Sequence, residues 1–264
     1  MRARAARDLN AAVAIAARDV TRFVRSPSQI FMSLFIPVIF IGLMGGSLNQ
    51  NMGRSLHYDF MQYVLLGMVT SVIYQFSMNG MVSLVEDREN DLTQEIFVAP
   101  VSRSAIILGK VAGSSVAALV GIVGTFAVAL ALRIPLSWSD AGRILMIAPF
   151  LALSGAALGI FFIGLVRDPQ AADLGSFVLV FPQIFLTGAI IPVGHSSGVL
   201  GVIKDVLPMT YLIDLLRGVF YHGRDEYDQV VLHPPLFDLA VTLGFFAVFV
   251  IAGTFLFARR ERDR

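Results

Sequence analysis

The amino-acid sequence predicts an all-α polytopic membrane protein with six transmembrane helices. Of the 264 residues, 56% are hydrophobic and only 15% are charged, whereas about a quarter of the residues in a soluble domain are charged. The mean hydropathy is +0.75. Several apolar runs reach the ~20 residues that a helix needs to cross the hydrocarbon layer. A soluble bundle of buried helices is the alternative, and such long apolar runs argue against it.

Composition and motifs exclude several functions. The net charge is only +1, so no nucleic-acid partner is implied. The absence of cysteine excludes disulfides, thiolate metal sites and cysteine nucleophiles. The sequence contains no GxxxxGK[ST] phosphate loop, so we do not expect the chain to hydrolyse ATP by itself.

The ionisable residues predict no catalytic, cofactor or metal site. All 19 acids lie in polar segments or near the ends of apolar runs, and Asp173 and Asp238 come closest to those runs. A proton-coupled carrier or an intramembrane protease needs a buried ionisable group, which argues against both. The sequence shows no zinc-ligand spacing, and we expect His222 and His233, in a polar loop, to be solvated.

Residues 1–26 are predicted to form an amphipathic interfacial helix. One helical face carries Leu9, Val13, Ala16, Val20 and Val24, and another carries Arg18, Arg22 and Arg25. Such a helix is expected to lie on an anionic membrane surface. A solvated helix is the alternative.

Residues 27–258 are predicted to form the transmembrane domain, followed by a tail at 259–264. Ser26-Pro27 is a helix-start signal. The six spans are predicted at 28–48, 60–85, 105–132, 144–166, 174–191 and 236–257. With the N-terminus inside, the inner segments hold six basic residues at the N-terminus, three at 86–110, Arg167 and four in the tail, which is 14 of the 20. The positive-inside rule therefore places both termini in the cytoplasm.

Small residues recur at four-residue intervals in the spans. They are Gly42 and Gly46, Gly155 and Gly159, and the ladder Gly109, Gly113, Ala117 and Gly121. This spacing predicts close helix packing.

Two spans also carry polar stripes, Ser71, Gln75 and Asn79 on the second and Ser176, Gln183 and Thr187 on the fifth. Because polar groups are costly in lipid, these stripes should face protein or a cavity. One interpretation is hydrogen bonding between helices. The other is a path for an amphipathic substrate, to which Phe76, Phe181 and Phe185 add apolar surface.

Two segments outside the spans are unusual. Residues 192–221 are apolar but are broken by Gly198, Gly201 and Pro208 into pieces too short to cross a membrane. They predict a re-entrant helical pair on the outer side, with an ordinary surface loop as the alternative. Residues 86–100 begin with acids and end with an apolar ridge and Pro100, as expected of a short helix that enters a partner's groove. A solvated loop is the alternative.

Three stretches resemble ABC type-2 transporter permeases, particularly the daunorubicin-resistance type of drug exporter. They are EDRENDLTQEIFVAPVSRSAIILGK at 86–110, FVLVFPQIFLTGAIIPV at 177–193 and LPMTYLIDLLRGVF at 207–220. Their order and spacing agree with the family over nearly the whole chain. One departure is Asp91-Leu92, where the family usually has Gly-Thr.

The resemblance implies the membrane subunit of an ATP-driven exporter of a drug-like or lipid-like, possibly glycan-linked, molecule. The permease would lie in the cell membrane as half of a dimer with a second copy or a paralogue. A separate ATPase subunit would bind ATP and Mg²⁺. An ATP-independent carrier or channel is the alternative, and a membrane-embedded lipid enzyme is a third hypothesis.

The resemblance also implies roles for individual residues. Segment 86–100 would be the coupling helix that meets the ATPase, through Glu86, Glu89, Glu95, Ile96, Phe97, Val98, Pro100 and Arg103. Glu86 and Glu89 would pair with Arg22 or Arg25. Spans one, two and five would line the export path. The re-entrant pair would form an outer gate containing Pro208, Tyr211, Asp214, Arg217 and Gly218.

Overall fold

The computed structural model describes residues 2–52, 57–89, 103–166, 168–194 and 196–262, and this part of the chain is all-helical. The elements in chain order are α1 (Arg2–Val24), α2 (Pro27–Pro37), a π-helical segment (Val38–Gly45), α3 (Gly46–Met52), α4 (Phe60–Glu89), α5 (Arg103–Ala131), α6 (Trp138–Leu165), α7 (Pro169–Leu186), α8 (Val199–Val206), α9 (Pro208–Phe220), α10 (Tyr227–Val230) and α11 (Pro235–Arg262).

Within the residues that the structure describes, four stretches, in α4, α5, α6 and α11, are long and apolar enough to cross a membrane. The first predicted span is divided into α2, the π segment and α3. The fifth corresponds to α7, which is an apolar helix of only 18 residues. The described part of the chain is thus helical with four candidate membrane-spanning helices, and six crossings stay a prediction.

The ends of α6 and α7 differ from the sequence-based boundaries for local reasons. α6 begins at Trp138, before the predicted Ile144, because Ser137 and Asp140 form a capping box. α7 ends at Leu186 instead of Ile191. Its C-cap is Thr187, and Gly188 then adopts a φ of +86°, a left-handed conformation that terminates helices.

α4 is the central helix of the fold. Residues 62–74 are all buried, and α4 packs against α5, α6, α7, α9 and the π segment. Its central position is consistent with a helix that is mostly apolar around its circumference, apart from the stripe of Ser71, Gln75 and Asn79.

Most of the small-residue repeats lie where helices approach closely. A Cβ atom on Gly155 of α6 would lie 2.5 Å from the carbonyl oxygen of Tyr74, and one on Gly109 of α5 would lie 2.7 Å from that of Ala12. By contrast, a Cβ atom on Gly42 would meet only the side chain of Leu132, at 3.9 Å, and one on Gly46 would meet nothing within 4 Å. The predicted packing role of Gly42 and Gly46 is therefore wrong within this chain.

α1 packs lengthwise against α5. Its buried side chains include Ile15 and Phe23, whereas Leu9, Val13 and Val24 are 65%, 60% and 57% exposed. Three residues of the face predicted to contact the membrane are therefore directed away from the protein, whereas Ala16 and Val20 are half-buried. Its contact with lipid stays a prediction.

α8 and α9 coincide with the two pieces of the predicted re-entrant pair. The hydroxyl of Thr210 donates to the carbonyl of Lys204 at 2.6 Å, and that of Tyr211 donates to the carbonyl of Asp205 at 2.7 Å. These bonds join the first turn of α9 to the end of α8. Residues 209–218 are buried, mainly against α4 and α11.

Candidate functional site

A cavity of about 420 Å³ lies between α1, α2, α4, α5 and α7. This volume is within the range of small-molecule sites, about 300–1,000 Å³. Apolar and polar side chains share its wall, which is formed by Asp19, Arg22, Phe23, Ile36, Pro37, Met68, Ser71, Val72, Gln75, Phe76, Asn79, Gly80, Ser83, Gly113, Ser114, Ala117, Asp173, Ser176, Phe177, Val180, Phe181 and Ile184.

The polar stripe of α4 faces this cavity. Ser71, Gln75 and Asn79 line it together with Phe76. The side-chain amide of Gln75 donates to that of Asn79 at 2.8 Å, and Ser71 donates to the carbonyl of Gly67 at 2.7 Å. These groups hydrogen-bond within α4, not between helices as one interpretation expected, and they border open space. The substrate path stays a prediction.

Only part of the polar stripe of α7 faces the cavity. Ser176 and Phe181 line the cavity, whereas Gln183, Phe185 and Thr187 are not in its wall. Gln183 and Thr187 are buried and donate to carbonyls of their own helix, Leu179 at 2.8 Å and Gln183 at 2.5 Å respectively. Phe185 packs against Phe40 of the π segment, with ring centroids 5.6 Å apart.

The π segment begins where α2 reaches the cavity. Pro37 is the last residue of α2 and lines the wall. π-helical turns are rare and occur frequently at functional sites. Here the turn brings Phe40 against Phe181 as well, at a centroid distance of 6.3 Å, so it helps to close one side of the cavity.

Four charged residues, Arg18, Asp19, Asp87 and Lys110, form an ion-pair network that we call the Lys110 cluster. Lys110 is 1% exposed. Its ammonium lies 2.6 Å from Asp87 and 3.1 Å from Asp19, and Arg18 lies 2.5 Å from Asp87. The cluster joins α1 to the end of α4 and the beginning of α5, the two helices that flank residues 90–102.

The cluster holds the carboxylate of Asp87 in its charged form. Asp87 lies two residues beyond the apolar stretch of α4, which ends at Val85. Burial favours a higher pKa for Asp87, but hydrogen bonds and positive charge from Lys110 and Arg18 outweigh it and lower the pKa. The pKa of Arg18 is raised, because Asp87 and Asp19 outweigh the opposing effect of its burial.

The predicted coupling residues are only partly within the described chain. Glu95, Ile96, Phe97, Val98 and Pro100 lie outside it. Glu86, Glu89 and Arg103 lie on α4 and α5, but their side chains are not described.

Among the described acids of the segment, Asp87 is the one that contacts α1. It also lies 4.0 Å from Arg22. The family resemblance implied this contact for Glu86 and Glu89, which stays a prediction, and did not indicate Asp87, Asp19 or Lys110. A usable signal was the position of Lys110, one of only two lysines, beside Gly109 at the start of an apolar helix.

The predicted gate residues lie on α9 and connect three parts of the fold. Arg217 donates to the carbonyls of Tyr63 and Gly188 at 3.1 and 2.8 Å, and its guanidinium lies 3.4 Å from the centroid of the Tyr63 ring. Gly218 allows Pro235, the first residue of α11, to approach α9 closely. A Cβ atom on Gly218 would lie 2.9 Å from the ring of Pro235. α9 thus contacts the beginnings of α4 and α11 and the turn after α7.

His233 corrects a sequence-based expectation. Its side chain is 29% exposed, and its Nδ1 atom lies 3.3 Å from Asp214 of α9 and 3.4 Å from Asp238 of α11. His233 is therefore only partly exposed, with its Nδ1 atom buried beside the two carboxylates. His222 is exposed as expected.

The gate contact and the Lys110 cluster lie at opposite ends of α4. Tyr63 and Asp87 are 24 residues apart along one continuous helix, which is about 36 Å at 1.5 Å per residue. The hydrocarbon core of a bilayer is about 30 Å thick. The cavity lies between these two ends.

The chain is similar to known membrane transport proteins. The family described as "ABC-2 type transporter" matches residues 10–221. Nodulation protein J of Rhizobium meliloti (strain 1021) is 23% identical over 242 residues, 90% of this chain and 87% of that protein. The "Putative transport permease ycf38" of Cyanophora paradoxa is 23% identical over 247 residues, 89% and 83% of the two chains. Nodulation protein J of Rhizobium leguminosarum bv. trifolii is 24% identical over 235 residues, 86% and 83% of the chains. The chain thus belongs to the ABC-2 type transporter family and is a multi-pass membrane transport protein of the permease kind.

Proposed function

We propose that this chain is the permease subunit of an ATP-driven exporter that moves an amphipathic, drug-like or lipid-like molecule out of the cytoplasm or the inner leaflet. The cavity between α1, α2, α4, α5 and α7 carries the proposal. Its wall combines aromatic rings with amides and hydroxyls, and also includes Asp19, Arg22 and Asp173. An amphipathic ligand needs such a mixture for burial and for orientation.

The proposal places α1 and the Lys110 cluster at the cytoplasmic face of the cell membrane and α9 at the outer face. The excess of Lys and Arg on the α1 side supports this orientation. The separation of about 36 Å along α4 is also sufficient for the two ends to reach opposite surfaces. We propose that both termini are cytoplasmic.

ATP and Mg²⁺ are assigned to a separate ATPase subunit that docks on the segment around residues 86–100. The Lys110 cluster supports a coupling role for this segment. It ties the helix before the segment, the helix after it and α1 into one unit through buried ion pairs. A displacement of the segment by the ATPase would move all three together, and α1, α4 and α5 all contribute to the cavity wall.

A second permease copy or a paralogue completes the proposed transporter. Large apolar side chains are exposed on α5, α7 and α11, among them Val123, Val178 and Ile251 at 66%, 66% and 70%. These exposed faces could contact either lipid or a second permease. Because the chain has no native cysteine, disulfide cross-linking between introduced cysteines can distinguish these two contacts. A symmetric pair cross-linked through one introduced cysteine supports the dimer.

Transport into inside-out vesicles tests the function. Vesicles that contain the permease and its ATPase subunit should accumulate a fluorescent amphiphile only when ATP is present. Replacing Gln75 and Asn79 by Leu removes the amides from the cavity wall and should reduce transport at least about tenfold, the effect of about 1.4 kcal/mol. Asn51→Leu is the matched control, since Asn51 is an exposed amide on α3 outside the cavity.

Two outcomes would favour other functions. Accumulation driven by an ion gradient without the ATPase would indicate a secondary carrier. If Phe97→Asp leaves both uptake and ATPase docking unchanged, the segment does not have the proposed coupling role.

A further inference from the structure

Asp214, His233 and Asp238 converge where α9 meets the beginning of α11, and we call them the Asp214 cluster. Each offers one ligand atom, and these atoms lie within 4.8 Å of one another. We propose that the cluster is a binding site for a divalent transition-metal ion, for which zinc is the best fit. The proposal departs from the sequence-based expectation that the chain holds no metal.

The buried carboxylate of Asp238 lacks a hydrogen-bond donor among the described residues. Asp238 is 0% exposed, and neither of its oxygens accepts a hydrogen bond from any donor in the described part of the chain. Buried carboxylates are normally paired, hydrogen-bonded or bound to a metal. Arg217, a basic side chain on the same helix as Asp214, donates to main-chain carbonyls instead.

The imidazole of His233 lies close to both carboxylates of the cluster. His233 Nδ1 is buried between the two carboxylates but hydrogen-bonds to neither. A single N–H could donate to only one of them, whereas a cation at their centre would contact all three groups. The distances of 3.3 and 3.4 Å from Nδ1 to the carboxylate oxygens match the edge of a tetrahedron with bonds of about 2.0–2.1 Å, the range for zinc.

The surroundings hold two of the ligands in place. Asp214 accepts from the main-chain N–H groups of Leu232 and His233 at 2.8–3.0 Å, so it is oriented by the same loop that supplies the histidine. The imidazole packs beside the rings of Tyr211 and Phe237, at centroid distances of 5.8 and 5.1 Å. Such outer interactions are typical of metal ligands.

The donor set selects the metal. One imidazole nitrogen and two carboxylates suit zinc and other first-row divalent ions, whereas magnesium and calcium prefer oxygen donors alone. Two carboxylates also balance the charge of a divalent ion. Three protein ligands leave one coordination position for water, and the partly exposed imidazole gives the ion access from outside.

A bound ion would cross-link α9 to α11. Asp214 lies on α9, Asp238 lies on the first turns of α11, and His233 lies between them. The expected consequence is that metal stabilises the packing of the α9 region on α11 without any need for turnover.

Metal binding to the purified full-length permease in lipid nanodiscs tests the proposal. After chelator treatment and dialysis against zinc, elemental analysis should find about one zinc ion per chain. Cobalt should give the intense visible absorption of a four-coordinate nitrogen and oxygen site, a result that requires no mutation. Zinc should also raise the melting temperature of the wild-type protein.

Asp238→Asn and His233→Gln should each lower zinc affinity more than about tenfold, since loss of outer-shell partners alone costs about 10–100-fold. Zinc should no longer raise their melting temperatures. His222→Gln is the matched control, because His222 is an exposed histidine of the same loop region, and it should bind zinc like the wild type. Absence of the cobalt spectrum, or zinc binding that is equal in all variants, would overturn the proposal.

Discussion

The replacement Asp87→Asn tests the Lys110 cluster most directly. Asn has nearly the shape of Asp but carries no charge. The change leaves the ammonium of Lys110, 1% exposed, without its nearest carboxylate at 2.6 Å. Arg18 also loses a partner, but its side chain is 36% exposed and can turn toward solvent.

The expected loss of stability follows from the burial of Lys110. Removing one member of a buried ion pair costs about 3–5 kcal/mol, mainly because the remaining charge is uncompensated. Lys110 keeps Asp19 at 3.1 Å and the hydroxyl of Ser83 at 2.8 Å, so we expect the lower value, about 3 kcal/mol. With about 2 °C for each kcal/mol in a chain of this size, the melting temperature should fall by about 6 °C.

A double-mutant cycle with Lys110→Met separates the ion pair from other effects. Unfolding of the permease in nanodiscs would be followed by intrinsic fluorescence for the wild type, both single variants and the double variant. The double variant removes both charges, so its loss should be smaller than the sum of the single losses by about 1–3 kcal/mol. Asp225→Asn, an exposed acid-to-amide change, should have little effect.

Two results would refute this reasoning. Asp87→Asn could unfold at the wild-type temperature, which would mean that the cluster contributes no net stability. Alternatively, the two single effects could add fully in the double variant, and Lys110 and Asp87 would then not act as a pair.

Three further predictions concern other parts of the molecule. Gly155→Ala should destabilise by about 1–3 kcal/mol because the new methyl group meets a main-chain oxygen of α4 at 2.5 Å; Gly142→Ala, with nothing within 4 Å, should not, and equal melting curves would contradict the prediction. Arg217→Lys should abolish transport but preserve ATPase docking in a pull-down, since Lys cannot both bond two carbonyls and stack on the Tyr63 ring; normal transport would argue against a gate role. Because the pKa of Asp87 is lowered on folding, its stabilisation should be constant from pH 8 to pH 5 and be lost only below about pH 4. The melting-temperature difference between wild type and Asp87→Asn measures this, and a gap that closes near pH 6 would disagree with it.

Local properties of the sequence were sufficient for the class and for many elements. Long apolar runs predict membrane helices because the bilayer imposes their length and composition. Ser26-Pro27, Gly198 and Pro208 predict helix ends because proline and glycine restrict or release the backbone locally. The stripe of Ser71, Gln75 and Asn79 predicts one helical face, since the period of an α-helix relates these positions without any knowledge of neighbours.

The α7 stripe shows where this reasoning stops. Ser176, Gln183 and Thr187 share a helical face, but only Ser176 reaches the cavity. Helical periodicity specifies a direction around one axis. It does not specify which neighbouring element covers each level of that face, and here Gln183 and Thr187 are buried outside the cavity wall.

The sequence by itself determined that this chain is a helical membrane protein, that its second span presents a polar face, and that the 86–110 segment belongs to a transporter permease. Only the tertiary structure decided which charges meet. Asp19, Asp87 and Lys110 come from three helices, and Asp214, His233 and Asp238 are separated by 19 and 5 positions. Contacts between distant residues depend on how helices pack and on the desolvation and pairing that packing imposes, and no linear spacing encodes that information.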